Sequence, residues 1–351
     1  PGKMTQRVLI VGKVGTGKTV LSQHFGLNIT KEAQTRGISL HYVHVNCREC
    51  KGSLFMILQQ TILRFIPHFP KRGYSEAELL QTLMQILDER NAYLILAMDE
   101  VETLIRNGGP DPLYKLTRIH ETRLKAPQRL SLICILREPE CLEMLDPSTK
   151  STLQRNIIHL EEYSKNQLQN IINARVTIAF RQETVSTQTI ALISELAASE
   201  GGNARYAIEL LWRAGKYADA SGLLEVSPEC VRKAAVSIYP VIQKDVIAFL
   251  GLHEKLFLLG VARRFKQTNV AYMTMGDAED AYAVVCEEYD ERKRGHTQLW
   301  EYVKALSASD IIKTDISSLG QRGKTTLIGL PRVPASDLEQ ELSKMLRMKK
   351  R

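Results

Sequence analysis

The residues best placed to do chemistry stand near the start of the chain, where Gly12-Lys13-Val14-Gly15-Thr16-Gly17-Lys18-Thr19 fits the spacing G-x-x-x-x-G-K-[ST] without mismatch. In that pattern the glycines let the backbone curl so that successive N–H groups face phosphate oxygens. The lysine reaches the outer phosphates and the hydroxyl of the next residue ligates Mg²⁺. Gly12, Val14, Gly15, Thr16, Gly17, Lys18, Thr19 and Val20 are therefore expected to hold ATP or ADP, with Thr19 a Mg²⁺ ligand. A second chemical pair, Asp99-Glu100, follows the apolar run Tyr93 to Met98, YLILAM. At the end of a buried strand beside a phosphate loop, Asp99 would hold the metal and Glu100 would polarise the attacking water. Lys18, Asp99 and Glu100 are thus the candidate catalytic residues.

These groups need a sheet to position them. The apolar run from Arg7 leads into the loop, and a helix is expected from Lys18. Further strands are expected at Leu40 to Asn46, Tyr93 to Met98, Leu130 to Leu136 and, shorter, Ile157 to Leu160. Between them lie helical patterns, one with Leu54, Ile57, Leu58, Ile62 and Phe65, another from Ser75 to Arg90 opening with a capping box. Strands alternating with helices imply an α/β fold with a parallel sheet between helical layers, spanning residues 1–162. Residues 163–240 show helical spacing without a β pattern and read as a small α-helical domain. Residues 241–351 give three helices, Leu250 to Phe265, Asp277 to Glu291 and Thr297 to Ser307, then two strand-like runs around a basic glycine-bearing tip. That is the order of a winged helix-turn-helix. Leu299, Tyr302, Val303 and Leu306 share one face of the third helix and are expected in its core. Thr297, Gln298, Glu301 and Lys304 face away, where a recognition helix meets DNA, and Arg294, Arg322 and Lys324 flank that face.

Composition bounds the rest. The chain has 351 residues, 44% hydrophobic and 25% charged, ordinary for globular domains and enough for two or three of them. Net charge is +8, and it is uneven: residues 292–332 hold eight Lys/Arg against three Asp/Glu, residues 241–291 five against nine. A basic segment over the winged helix suits nucleic acid. No apolar run reaches the roughly 18–20 residues that span a bilayer, so no membrane partner is expected. Nothing in the opening PGKMTQR reads as a signal peptide, and the early entry into the first strand suggests a segment upstream. Six cysteines without a framework spacing fit a reducing, cytoplasmic location, and a DNA-binding role there would make it nucleoid-associated. Cys47-Arg48-Glu49-Cys50, with His44 nearby, lacks the second pair a zinc site would want.

The order of motifs resembles the archaeal Orc/Cdc-type replication initiators among the AAA+ ATPases. The resemblance rests on GKVGTGKT, the acidic pair after YLILAM, VHVNCRE, LYKLTRIHE, Gly201-Gly202-Asn203-Ala204-Arg205, TMGDAEDAYAVVCEEY and GQRGKTTLIGL, and it covers essentially the whole chain. It implies binding of double-stranded origin DNA, partnership with initiator paralogues and with the replicative helicase, and a further DNA-backbone contact after Asn46. It also implies that Arg205 is the lid arginine that reaches nucleotide phosphates. Two positions depart from the family pattern. Arg137 stands where a polar sensor, often Asn, is usual, and Ser148 stands at the arginine-finger position, with Lys150 or Arg155 as the nearest substitutes. Slow ATP hydrolysis acting as a switch is the expectation. Two other readings share this layout: a signal-transduction ATPase with a regulatory winged helix, and a partner initiator subunit whose ATP site is structural.

Overall fold

The structure, a computed structural model, describes residues 6–348 except 120, 124–125, 239–246, 248, 269, 310, 318–324 and 331–332. Two compact units meet in the sequence at Glu162 and Tyr163.

The first unit is built on five parallel strands, β1 (Arg7–Gly12), β2 (Leu40–Asn46), β3 (Tyr93–Asp99), β4 (Leu130–Leu136) and β5 (Ile157–Leu160), in the order β2-β3-β4-β1-β5. The middle strands are apolar along their length because both faces are covered. Leu94, Leu96 and Met98 of β3 face the larger core, while Ala97 joins Ile10, Ile133 and Ile135 in a smaller cluster on the opposite face. Helix α1 (Lys18–Thr35) runs unbroken for 18 residues from the phosphate-loop sequence. It packs closely on β2: a Cβ at Gly26 would lie 2.3 Å from the Tyr42 ring. Helices α2 (Leu54–Leu63) and α3 (Glu76–Glu89) bury Ile57, Leu58, Ile62, Leu79, Leu83 and Leu87. The expected capping box of α3 is formed by Ser75 and Glu78. Three short helices escaped the sequence pattern, α4 (Val101–Gly108), α5 (Asp111–Arg118) and α6 (Pro147–Leu153). At seven or eight residues, each shows too few turns for a helical period to stand out.

The second unit begins with four helices, α7 (Lys165–Ala179), α8 (Thr187–Ser199), α9 (Ala204–Ala220) and α10 (Pro228–Ile238), packed around Ile172, Ile193, Leu210 and Val231. There follow α11 (Leu252–Thr268), β6 (Tyr272–Thr274), α12 (Met275–Glu288), α13 (His296–Ala308), β7 (Lys313–Ser317), β8 (Thr325–Gly329) and α14 (Ala335–Met348). The hairpin of β7 and β8 gains a third strand, giving an antiparallel sheet in the order β6-β8-β7. The winged helix buries Phe257, Phe265, Tyr282, Leu299, Val303 and Leu306 in a core of its own.

Two polar clusters join the helical domain to the winged helix. Arg232 of α10 is fully buried and donates to Leu330 O at 2.7 Å, Val270 O at 3.1 Å and Ala271 O at 3.2 Å. It also pairs with Glu229 at 3.2 Å and lies over the Phe265 ring. Glu195 of α8 accepts from Lys165 at 2.8 Å and pairs with Lys313 of β7 at 2.7 Å, and the Tyr272 hydroxyl donates to it.

Candidate functional site

The phosphate-loop sequence lies between the C-terminal end of β1 and the start of α1. Gly15 and Gly17 take φ of 83° and 82°, the left-handed region where a side chain is strained. Gly12 is required for another reason: a Cβ there would come within 2.6 Å of Leu160 O and 2.9 Å of Thr16 Oγ1. Thr16 is buried and donates to Lys13 O at 2.9 Å. Lys18 is buried under the loop, its ammonium on Gly12 O and Lys13 O, both at 2.6 Å. Val14 and Val20 are exposed. The ammonium and the N–H groups of the first turn of α1 make this a place of positive potential.

Thr19 and Asp99, 80 residues apart, meet directly: Thr19 Oγ1 donates to Asp99 Oδ2 at 2.6 Å. The other carboxylate oxygen, Oδ1, accepts from the Glu100 backbone N–H at 2.9 Å. Two hard oxygen donors side by side, next to a glycine cradle, are the donor set that Mg²⁺ takes when phosphates complete its coordination. The residues therefore fit a Mg-nucleotide. His44 also lies here, its Nε2 3.7 Å from Asp99 Oδ2. Burial holds the imidazole below its ordinary pKa, against the opposing pull of Asp99 and Glu49, and Nδ1 finds no hydrogen-bond partner among the described residues. The Cys47 and Cys50 thiols are buried and burial pushes both up, so they pack as small protonated groups.

Glu100 has φ 55° and ψ 46°, a left-handed conformation unusual for a residue with a side chain. Its carboxylate lies 3.4 Å from Arg137 Nη2, and Arg137 Nε donates to Glu102 Oε1 at 2.9 Å. Neither contact was visible in the sequence. The signal that could have found them is the acidic spacing Glu100-x-Glu102 at the head of a helix, facing an arginine at the end of the adjacent strand. Ser148 has a partner too, since the Arg118 guanidinium donates to its hydroxyl. Of the two nearby cations, Lys150 pairs with Glu143, while Arg155 is exposed.

In the second unit, Arg205 stands exposed in the first turn of α9, whose N-cap is Asn203. On α13, Leu299, Val303 and Leu306 are buried and Tyr302 half-buried, while Thr297, Gln298 and Lys304 are exposed, Lys304 in an ion pair with Glu301 at 3.0 Å. Arg294, just before the helix, is exposed, and its N–H donates to the Tyr282 hydroxyl at 3.2 Å. Arg322 and Lys324 lie outside the described residues.

A parallel sheet with a phosphate-loop sequence, a four-helix domain and a winged helix define the architecture of an AAA+ ATPase with an appended winged helix. Family models match in that order: an AAA domain at residues 4–145, a Cdc6 AAA+ ATPase-type lid domain at 169–236 and a Cdc6 C-terminal winged-helix domain at 245–340. The chain is 34% identical over 343 residues to an ORC1-type DNA replication protein 2 of Sulfolobus acidocaldarius, covering 96% of this chain and 82% of that one. It is 29% identical over 341 residues to an ORC1-type DNA replication protein of Thermococcus kodakarensis, covering 95% and 80%. The crystal structure of Cdc6p from Pyrobaculum aerophilum matches with a TM-score of 0.83 at 31% identity, over all of this chain and 90% of that one. The chain belongs to the Orc1/Cdc6-type family of DNA replication proteins. The fold is shared with Aeropyrum pernix ORC1, solved in complex with DNA, at a TM-score of 0.59 and 24% identity over 98% and 87% of the two chains.

Proposed function

We propose that this protein is a replication initiator that binds double-stranded origin DNA, acts with initiator paralogues to recruit the replicative helicase, and uses bound ATP as a slow switch. The observation that carries the nucleotide part is the 2.6 Å contact of Thr19 with Asp99 beside a loop that only glycine can form at Gly12. In this reading the loop N–H groups and Lys18 bind the phosphates, while Thr19 and Asp99 hold Mg²⁺. Bound Mg²⁺ would supply charge neutralisation between the outer phosphates. Glu100 orients the attacking water and accepts its proton. Arg205 adds a fixed positive charge to the phosphates from the helical domain. Thr297, Gln298 and Lys304 meet a major groove, and Arg294, Arg322 and Lys324 meet the sugar-phosphate backbone.

The test is binding of a fluorescent ATP analogue together with binding of origin DNA. Lys18→Ala should abolish the first and remove the nucleotide dependence of the second. DNA affinity that never depends on nucleotide, in a chain that binds ATP, would contradict the switch. A second reading is favoured by the residues at two positions, Arg137 where a polar sensor is usual and Ser148 at the finger position: the chain is a partner subunit whose ATP site is structural. Turnover measured alone and mixed with a paralogue separates the two, because strong turnover by the isolated chain is incompatible with a structural site.

A further inference from the structure

Arg137 is the first residue after β4, the strand that lies between β1 and β3 in the sheet. Leu136 is the register partner of Val11, so Arg137 comes level with Gly12, where the phosphate loop begins. On the other side of β4 are Asp99 and Glu100, at the end of β3. The guanidinium stands beside Glu100 and Glu102. It bridges the two carboxylates, Glu100 through Nη2 at 3.4 Å and Glu102 through Nε at 2.9 Å.

Glu102 anchors the bridge. It is 1% exposed, and its second oxygen has no hydrogen-bond partner among the described residues. An ionised carboxylate so deeply buried needs its cation, so Arg137 is held in place from that side. Glu100 is fixed at both ends, its left-handed backbone N–H on Asp99 Oδ1 and its carboxylate on Arg137. A carboxylate oxygen drawn toward a guanidinium has that lone pair directed away from any water it would have to activate. The guanidinium keeps its charge throughout the working range.

We infer that Arg137 is a positioning residue that latches Glu100 onto the Glu102 anchor and so restrains the proposed general base. This rests on the reading of Gly12 to Thr19 and Asp99-Glu100 as an ATP site. It would restrain turnover through a contact within this one chain, independently of the residue at position 148.

The test is steady-state ATP turnover and separate binding of a fluorescent ATP analogue, on the full chain. Arg137→Asn should raise kcat by at least about tenfold, a small part of the 10²–10⁴ that a positioned base contributes, with KM and nucleotide affinity within about twofold. The gain should vanish when Glu100→Gln is added, because it acts through that carboxylate. Since Glu102 loses its cation in this variant, Glu102→Gln combined with Arg137→Asn keeps the pocket neutral and should show the same gain with an unchanged melting temperature. Turnover in both Arg137 variants equal to or below that of the unaltered chain, with nucleotide still bound, overturns the latch alone. A gain that survives Glu100→Gln overturns it as well. An unaltered chain that binds no ATP overturns the reading of the site and the latch with it.

Discussion

Glu100 and Gly12 each test the site through a single group. If Glu100 is the base, Glu100→Gln should lower kcat by about 10²–10⁴ once Arg137→Asn has released it and by less in the latched chain, while nucleotide binding stays within a few-fold, since only the water-activating oxygen is changed. Equal losses of binding and turnover would assign Glu100 a structural role. Gly12→Ala places a methyl 2.6 Å from Leu160 O, and backbone cannot give way as a side chain would. The expected cost is about 1–3 kcal/mol of unfolding free energy, with nucleotide affinity reduced, measured by denaturant titration and analogue binding. At this scale the sequence was informative where spacing encodes chemistry. Lys18, Thr19 and Asp99 could be named because a motif and a strand end fix their places. The partners of Arg137 and Ser148 could not, because Glu102 and Arg118 come from α4 and α5, elements whose direction is set by tertiary packing.

At the scale of elements, the second unit depends on two joints that no periodicity announces. Arg232 looks in the sequence like one more cation on a helix, yet it is fully buried and serves three carbonyls of the winged helix. Arg232→Met should destabilise this unit by about 3–5 kcal/mol, the scale for breaking a buried ion pair, with the melting temperature falling by about 10 °C. Burial pushes the carboxyl of Glu195 up, but the hydrogen bonds from Lys165, Lys313 and Tyr272 outweigh it, so its pKa is held below the ordinary value of 4.5. A carboxylate with a depressed folded pKa stabilises fully above its unfolded value and loses that contribution as pH falls through the folded one. Thermal stability should therefore fall on acidification below about pH 4.5, and Glu195→Gln should be less stable at neutral pH with a flatter acid limb. An unchanged acid limb in the variant would remove Glu195 as its source. The long helices and buried strands were legible from apolar period. The three-residue β6 was not, because its pairing with β8 is a tertiary event.

At the scale of the whole molecule, the parallel sheet, the helical block and the winged helix followed from the alternation of patterns and from the order of motifs. What the sequence left unsaid is how the helical domain and winged helix join, since that depends on two buried charges. The basic segment makes a quantitative prediction. If Arg322 and Lys324 contact phosphates, Arg322→Ala with Lys324→Ala should reduce the slope of log affinity against log salt by about 2, uniformly across DNA sequences. Gln298→Ala should instead weaken a preferred sequence by about 1–3 kcal/mol and leave random DNA nearly untouched, if it reads a base edge. The most direct measurement of the central claim is footprinting of the protein on DNA from its own genome, with and without ATP. An initiator of this kind predicts a protected tract of defined sequence whose occupancy or extent changes with ATP. Protection without sequence preference, or the same with and without nucleotide, would contradict it.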